Sequence, residues 1–249
     1  MSCPICSAHC LPAGTIAFNT CCGSGAQNLL PPSDMNVSYV QCSQCGFCFA
    51  PEFSAWSLED FATRIYNEDY AIVDPDYTDA RPRANAGSLL ATFGERGRGI
   101  RHLDYGGGHG LLSKLLRDGG WPSESYDPFV DRSVSLSGLG QFDLVTAYEV
   151  FEHVPDVRRL IADLASLLRP DGVVLFSTLL SDGNIAPGRP LSWWYAAPRN
   201  GHISLFSARS LAALGAIEGF AIGSFSPDLH AYWKTVPSWA VHILRTAQA

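Results

Sequence analysis

Leu103-Asp104-Tyr105-Gly106-Gly107-Gly108-His109-Gly110 is the most informative segment of this sequence. A strand is predicted from Ile100 to Asp104 and a helix from Leu111 to Arg117, so the glycines join the two. Glycine lets the backbone turn tightly and lets a ligand approach without a Cβ in the way. Amides at the start of the helix would face that ligand. The pattern predicts a parallel α/β fold with a ligand site at this turn, although a simple tight turn would look similar.

An acidic residue downstream favours the ligand site. Asp127 lies 23 residues after Asp104, close to the offset at which an acid binds ribose hydroxyls in nucleotide-binding βαβ units. The glycines follow D-x-G-x-G-x-G, and Leu111 stands where a dinucleotide fingerprint needs its last glycine. The spacing therefore argues against a dehydrogenase.

The glycine pattern resembles motif I of the class I S-adenosylmethionine (SAM)-dependent methyltransferases. The resemblance continues through Phe142–Asp156 and Leu168–Gly172, and it covers most of residues 96–235. It implies a Rossmann-like fold with SAM as cofactor. It also implies that the loop containing Asp104, Gly106 and Gly108 cradles the methionine moiety of SAM, and that Asp127 holds the ribose.

Two tyrosines are further candidates for contact with the cofactor. Tyr148 follows the strand predicted at Phe142–Ala147, at the carboxyl edge where open α/β sheets bind ligands. Tyr66-Asn67-Glu68-Asp69-Tyr70 resembles the Y-x-x-x-Y stretch of the family's lid segment, which implies a cofactor contact for Tyr70. Simple packing of Tyr66 and Tyr70 on the sheet is the alternative.

All eight cysteines lie within the first 48 residues. Cys3-Pro4-Ile5-Cys6 and Cys42-Ser43-Gln44-Cys45 are two C-x₂-C knuckles separated by 35 residues, enough for a short hairpin between them. Two such knuckles complete a tetrahedral four-thiolate shell, so we expect structural zinc on Cys3, Cys6, Cys42 and Cys45. His9, Cys10 and Cys48 remain alternative ligands, whereas Cys21 and Cys22 could be small buried residues.

His202 is the candidate catalytic base. Gly201-His202-Ile203-Ser204-Leu205-Phe206-Ser207 resembles the E-H-x-S-Y-F-S stretch of sugar C-methyltransferases, which also carry an N-terminal zinc module and whose histidine is a candidate base. Gly201 replaces their glutamate. A structural role, in which His202 fixes its loop by hydrogen bonding, is the alternative. Glu152-His153 also looks like an acid–base pair, but shaping its loop is the expected role.

Composition narrows the classes of partner. The 249 residues are 47% apolar with a net charge of −7, and no Lys/Arg cluster appears, so nucleic acid is an unlikely partner. No segment is long enough to cross a bilayer, and no signal peptide precedes the knuckles, so we expect a cytoplasmic protein. The sequence indicates no oligomeric state.

The function predicted from these patterns is methyl transfer from SAM to a small molecule, such as a sugar nucleotide or a natural-product intermediate. One alternative is a methyltransferase acting on protein or RNA. Another is a non-catalytic zinc-containing interaction protein with a degenerate nucleotide fold, favoured by a polar second strand and a truncated unit between Val130 and Gln141.

The predicted architecture is α/β, a Rossmann-like doubly wound sheet with an antiparallel C-terminal edge hairpin and a zinc-ribbon-like N-terminal module. Residues 1–53 are assigned to that module, 54–95 to a helical lid or linker, and 96–249 to the methyltransferase domain. The edge hairpin pairs Phe220–Phe225 with Ala231–Val236. Before it, Arg169-Pro170-Asp171-Gly172 is predicted to turn the chain into an apolar strand at Val173–Thr178. A capping box at Ser57 starts one lid helix, and another ends at Gly94.

Overall fold

The computed structural model describes residues 1–23, 30–31, 33–186 and 188–247. Their contacts divide the chain into two units. The first contains Met1–Pro75, Phe151–Arg159 and Leu179–Leu214, and the second contains Asp76–Val150, Leu160–Thr178 and Gly215–Ala249.

The secondary structure mixes strands with short helices. The strands are β1 (Cys10–Ala17), β2 (Asn36–Cys42), β3 (Cys48–Phe49), β4 (His102–Tyr105), β5 (Ser123–Tyr126), β6 (Phe142–Ala147), β7 (Leu168–Ser177), β8 (Ser204–Leu205), β9 (Ala221–Ser224) and β10 (Leu229–Trp233). The α-helices are α1 (Leu58–Arg64), α2 (Tyr70–Val73), α3 (Ala80–Phe93), α4 (Leu111–Asp118), α5 (Leu136–Leu139), α6 (Val157–Leu167), α7 (Ala208–Ile217) and α8 (Val241–Leu244). Short 3-10 helices span Pro51–Ala55, Gly94–Gly99, Phe151–His153 and Pro198–Asn200.

An antiparallel sheet in the order β1-β2-β3-β8 organises the first unit. The β1–β2 hairpin occupies the long spacer between the two knuckles and pairs Cys10 with Cys42. Strand β3 pairs Cys48 with Leu205 of β8, which comes from a much later part of the chain. The cysteine-rich segment therefore shares its sheet with the segment around His202.

The second unit is built on a six-stranded sheet in the order β5-β4-β6-β7-β10-β9. Strands β5, β4, β6 and β7 are parallel, whereas β10 runs antiparallel to β7 and β9. This confirms the Rossmann-like sheet with an antiparallel edge hairpin. Strand order reverses between β4 and β6, and open α/β sheets bind ligands at the carboxyl ends of strands at such a point.

Side chains alternate between the two faces of this sheet. On one face, Leu144, Val173, Leu175 and Ala231 join a buried apolar cluster with residues of α3, α4 and α8. On the other face, the rings of Phe176 and Tyr232 stack with their centroids 4.7 Å apart. Both faces are covered, as a mostly parallel sheet requires.

Local signals place several helix ends. Ser57 and Asp60 form the predicted capping box at the start of α1. Gly94, with a φ of +52°, ends α3 where predicted. Helix α5 has four residues, which agrees with the truncated unit predicted between β5 and β6.

Two strand boundaries differ from those predicted. Strand β7 begins at Leu168 and not at Val173, because Leu168 already pairs with Phe142 and the register then shifts. At Gly172 a Cβ would lie 3.0 Å from the carbonyl oxygen of Phe142, so glycine allows this close approach. Strand β10 ends at Trp233 and not at Val236, since Trp233 pairs with Val173 at the last registered position of β7.

Within the part of the chain that the structure describes, every helix is too short or too polar to cross a membrane.

Candidate functional site

The glycine turn presents bare backbone at the carboxyl end of β4. Gly106, Gly108 and Gly110 have φ values of +75°, +54° and +75°, a region that other L-residues rarely adopt. A Cβ at Gly106 would lie 2.5 Å from Val150 Cγ2, so a side chain does not fit there. At Gly108 a Cβ would meet no atom within 4 Å, so the backbone faces open space. The turn therefore leaves room for a ligand.

Asp127 lies directly beside this turn. Its Oδ2 accepts the N–H of Gly108 at 3.0 Å, and its Oδ1 accepts the N–H of Phe129 at 2.8 Å. A carboxylate offers about four lone-pair sites, and these two amides use two of them. Because Asp127 is only half-buried, the carboxylate can also accept hydrogen bonds from the hydroxyls of a ligand.

Asp104 is the next-to-last residue of β4, and its carboxyl group is buried. Its Oδ1 accepts the hydroxyl of Thr146 at 2.7 Å. Burial raises the pKa of Asp104 to about 7, the nearby charge of Asp127 adds to the rise, and the Thr146 bond opposes it. A positively charged ligand beside Asp104 would lower this pKa and favour the carboxylate.

A buried hydrogen-bond chain behind Asp104 was not predicted from the sequence. Ser123 Oγ lies 2.7 Å from His102 Nδ1, and His102 Nε2 lies 2.9 Å from Thr146 Oγ1. Since Thr146 donates to Asp104, His102 Nε2 must donate to Thr146 and Nδ1 must accept from Ser123. Burial lowers the pKa of His102 to about 3, so the ring is neutral. Only the alternation that puts His102 and Asp104 on one face of β4 is visible in the sequence.

Tyr148 follows β6 but lies against apolar side chains. With residues of α3, β7, β10 and α8 it lines a cavity of about 190 Å³. Burial and the charge of Asp104 raise the pKa of Tyr148 far above its ordinary value, so the phenol stays neutral. A cofactor contact for Tyr148 stays a prediction.

Glu149, the next residue, has a φ of +53°, which is unusual for a side chain of this size. Ser177, at the end of β7, forms hydrogen bonds with both the backbone and the side chain of Glu149. The Glu149 N–H donates to Ser177 Oγ at 2.8 Å, and the Ser177 hydroxyl donates to Glu149 Oε1 at 2.7 Å. Unusual backbone held in this way at the carboxyl edge of a sheet is typical of functional loops.

Tyr70 belongs to the first unit, where its hydroxyl donates to the carbonyl oxygen of Asn200 at 3.1 Å. The ring is buried and packs against Tyr66, with ring centroids 5.1 Å apart. These contacts anchor the segment after α1 to the turn that precedes His202. A cofactor contact for Tyr70 stays a prediction.

His202, also in the first unit, is 5% exposed. Its Nδ1 lies 3.0 Å from the carbonyl oxygen of Tyr195 and 3.4 Å from Cys22 Sγ. A carbonyl oxygen only accepts, so Nδ1 carries a proton, and when the ring is neutral its lone pair is on Nε2. The Tyr39 hydroxyl donates to the His202 carbonyl oxygen at 2.7 Å and fixes the backbone.

Glu152 and His153 lie close to His202. Glu152 is fully buried, and its Oε1 accepts the Tyr195 hydroxyl at 2.7 Å. His153 Nε2 lies 3.9 Å from the same oxygen, and the rings of His153 and His202 have centroids 5.0 Å apart. The fold brings these residues together, although no sequence pattern links them.

The four cysteines chosen from the knuckles form one cluster, with their sulfur atoms all within 4.8 Å of one another. Cys3 Sγ lies 3.7 Å from Cys45 Sγ, and Cys6 Sγ lies 3.4 Å from Cys42 Sγ. Zn–S bonds of about 2.3 Å in a tetrahedron require S–S separations of about 3.8 Å, so the cluster fits zinc with little movement. Hydrogen bonding by Cys45 lowers the pKa of Cys3 to about 5, which favours a thiolate in the cluster.

The competing cysteines have other surroundings. Cys10 Sγ points to the carbonyl oxygen of Ala8 at 4.0 Å, and burial raises the pKa of Cys10 to about 12. Cys48 is fully buried in β3, and burial raises its pKa to about 12 as well. Neither sulfur belongs to the group of four thiols that converge closely enough to hold one metal ion.

The predicted site residues thus form three groups. Asp104, Gly106, Gly108, Asp127 and Tyr148 belong to the second unit, and the hydrogen bond from Gly108 to Asp127 joins its glycine turn to its acid. Tyr70 and His202 belong to the first unit. The four thiols form the third group, also in the first unit.

Comparison with known proteins bears on the second unit most directly. The sequence profile of a family described as "Methyltransferase domain" matches residues 77–224, more than half of the chain. Two curated relatives are ubiquinone biosynthesis O-methyltransferases. The one from Bordetella avium is 31% identical over 33% of this chain and 44% of its own length, and the one from Aromatoleum aromaticum is 52% identical over 32% and 44%. The chain thus spans less than half the length of the curated relatives it matches.

A solved structure shows the same fold. The 1,6-didemethyltoxoflavin-N1-methyltransferase of Burkholderia thailandensis, determined with bound 1,6-didemethyltoxoflavin and S-adenosylhomocysteine, aligns with a TM-score of 0.51. The alignment has 20% identity and covers 83% of this chain and 98% of the other. With the glycine turn, the acid after β5 and the strand order, the profile match leads to one conclusion: this chain belongs to the class I SAM-dependent methyltransferase family.

Proposed function

We propose that this chain transfers the methyl group of SAM to a small-molecule acceptor. The observation that carries the proposal is the 3.0 Å hydrogen bond from Gly108 to Asp127. It supports the proposal because the carboxylate expected to bind ribose lies beside a turn whose backbone faces open space. Gly106 and Gly108 would then adjoin the methionine moiety, and Asp127 would accept from the ribose hydroxyls. SAM would supply a methyl group activated by its sulfonium charge.

The net charge of the chain and the names of its relatives favour a small acceptor. The net charge of −7 disfavours a polyanionic partner. Trp194, which is 57% exposed, offers a flat apolar surface of the kind that lines small-molecule pockets. The curated relatives carry names for O-methylation in ubiquinone biosynthesis. A sugar nucleotide or a natural-product intermediate is the proposed class of acceptor, and methylation of a protein is the alternative outcome of an acceptor screen.

We also propose structural roles for the N-terminal segment. Residues 1–53 are proposed as a module held by structural zinc on Cys3, Cys6, Cys42 and Cys45, and residues 54–95 as a lid or linker. A closed four-thiolate site has no open position for chemistry, so its role would be structural. Clustered thiols that bind zinc also fit a reducing compartment, and a cytoplasmic location is proposed on that ground.

Titration with SAM tests the proposed function. We expect binding to release up to one proton at pH 6, because about nine in ten Asp104 carboxyls are protonated there when the pKa is about 7. The cationic ligand would lower that pKa, so SAM affinity should fall as the pH drops below 7, by up to about tenfold per unit. Isothermal titration calorimetry in two buffers of different ionisation enthalpy measures the released proton.

Two controls sharpen this titration. Asp104→Asn should still bind SAM but release no proton between pH 5 and 7. NAD should give no heat, since Leu111 occupies the position of the last glycine that its pyrophosphate loop needs. Binding of NAD in preference to SAM, or no binding of either, would overturn the proposed function.

His202 is proposed as the base that takes the acceptor's proton, through the Nε2 lone pair. With an acceptor identified by a screen for S-adenosylhomocysteine formation, His202→Ala is expected to lower kcat at least about 100-fold, the usual range for a general base. The dissociation constant for SAM should change less than about threefold. Equal turnover in the variant and the parent would retire the role, and His242→Ala, an exposed histidine, is the matched control.

A further inference from the structure

Glu152, His153 and His202 form a compact cluster inside the first unit. Glu152 and His153 belong to the 3-10 helix Phe151–His153, and His202 follows the 3-10 helix Pro198–Asn200. One carboxylate oxygen and one ring nitrogen from each histidine all lie within 4.8 Å of one another. All three residues belong to the first unit.

The buried carboxyl group of Glu152 favours a cation at this position. The side chain is fully buried, and a carboxylate removed from water is costly unless hydrogen bonds or an opposite charge compensate it. Tyr195 donates one hydrogen bond to Oε1. The two imidazoles that face the carboxylate are themselves good metal ligands when neutral.

The hydrogen bond made by His202 Nδ1 implies that a metal would bind Nε2. Its Nδ1–H donates to the Tyr195 carbonyl oxygen at 3.0 Å, which leaves the lone pair on Nε2. Metal-binding histidines usually donate their second ring N–H to a carbonyl or carboxylate, which fixes the ring orientation. Tyr195 thus holds two of the three side chains, His202 through its carbonyl oxygen and Glu152 through its hydroxyl.

We propose that Glu152, His153 and His202 bind a divalent transition-metal ion, separately from the four-thiolate cluster. Two imidazoles and one carboxylate suit Mn²⁺, Fe²⁺, Co²⁺ or Zn²⁺ and leave coordination positions for water or a ligand oxygen. The functional consequence rests on the proposed methyl transfer, since a bound ion lowers the pKa of a coordinated hydroxyl. With the ion bound, the lowered pKa of the coordinated hydroxyl would serve proton removal, and the base role proposed above is that of His202 in the metal-free protein.

Titration of the zinc-loaded protein with Mn²⁺ tests the site without any acceptor. Mn²⁺ prefers oxygen and nitrogen ligands to thiolates, so the cysteine cluster should not compete. Loss of the free-Mn²⁺ electron paramagnetic resonance signal should show one site per chain. Glu152→Gln and His153→Asn are each expected to weaken it at least 10-fold, whereas His242→Asn should match the parent.

Separate readouts keep the outcomes distinct. Circular dichroism and SAM titration show whether each variant is folded, and His153→Asn, at a partly exposed side chain, serves if Glu152→Gln fails to fold. Absence of stoichiometric Mn²⁺, Co²⁺ or additional Zn²⁺ in the parent would overturn the metal site, as would unchanged binding in folded variants of both residues. A parent that binds the ion but not SAM would refute the proposed function and leave the metal site standing.

Discussion

Cys45→Ser is expected to abolish zinc binding and to unfold the cysteine-rich segment. The four sulfur atoms lie within 4.8 Å of one another, and they tie the first six residues to the second knuckle. Structural zinc stabilises small zinc-finger peptides by about 10–16 kcal/mol, whereas whole domains are stable by about 5–15 kcal/mol. Loss of one ligand should therefore lower the midpoint of thermal unfolding by more than about 10 °C. Elemental analysis, thermal unfolding and limited proteolysis of the N-terminal segment measure the effect.

Cys10→Ser is the matched control, because Cys10 is buried in β1 but lies outside the cluster. It should retain about one zinc per chain, as a single four-thiolate site predicts, and lose little stability. Full zinc in Cys45→Ser, or loss of zinc in Cys10→Ser, would show that the ligand set is wrong.

Asp127→Ala is expected to weaken SAM binding about 10- to 100-fold, since a hydrogen bond to a charged group contributes about 1.5–3 kcal/mol. The carboxylate already accepts the N–H groups of Gly108 and Phe129, so its removal also loosens the turn that would hold the methionine moiety. Isothermal titration calorimetry gives the affinity. Thermal unfolding without SAM shows how much of the loss comes from the turn itself.

Two substitutions calibrate that result. Asp127→Asn keeps an acceptor oxygen at the same place and should lose less affinity than alanine. Asp118→Ala removes an exposed acid that pairs with Lys114, and it should leave SAM affinity unchanged. If Asp127→Ala binds SAM as tightly as the parent, Asp127 does not hold the ribose.

Local chemistry explains which parts of the fold were predictable. The glycines at 106, 108 and 110, the capping box at Ser57 and the end of α3 at Gly94 each depend on a few neighbouring residues. The start of β7 was mispredicted because Arg169-Pro170-Asp171-Gly172 reads as a turn, and only the lateral pairing of Leu168 with Phe142 extends the strand.

The same distinction applies to the candidate site. The proximity of Asp127 to the glycine turn follows from one βαβ unit, so a fixed spacing in sequence predicts it. The chain from Ser123 through His102 and Thr146 to Asp104 requires three strands in register. The contacts of His202 with Cys22 and Tyr39 join residues 180 and 163 positions apart, and no local pattern encodes them.

The pairing of β3 with β8 has a consequence for how the protein is made. Strand β3 gains its second neighbour only when Phe49 can pair with Ser204 of β8. The N-terminal sheet therefore stays incomplete until more than 150 further residues have left the ribosome. At synthesis rates of about 5–20 residues per second, that delay is on the order of ten seconds or more. During this interval the edge of β3 is open to chaperones and to misassembly with other nascent chains.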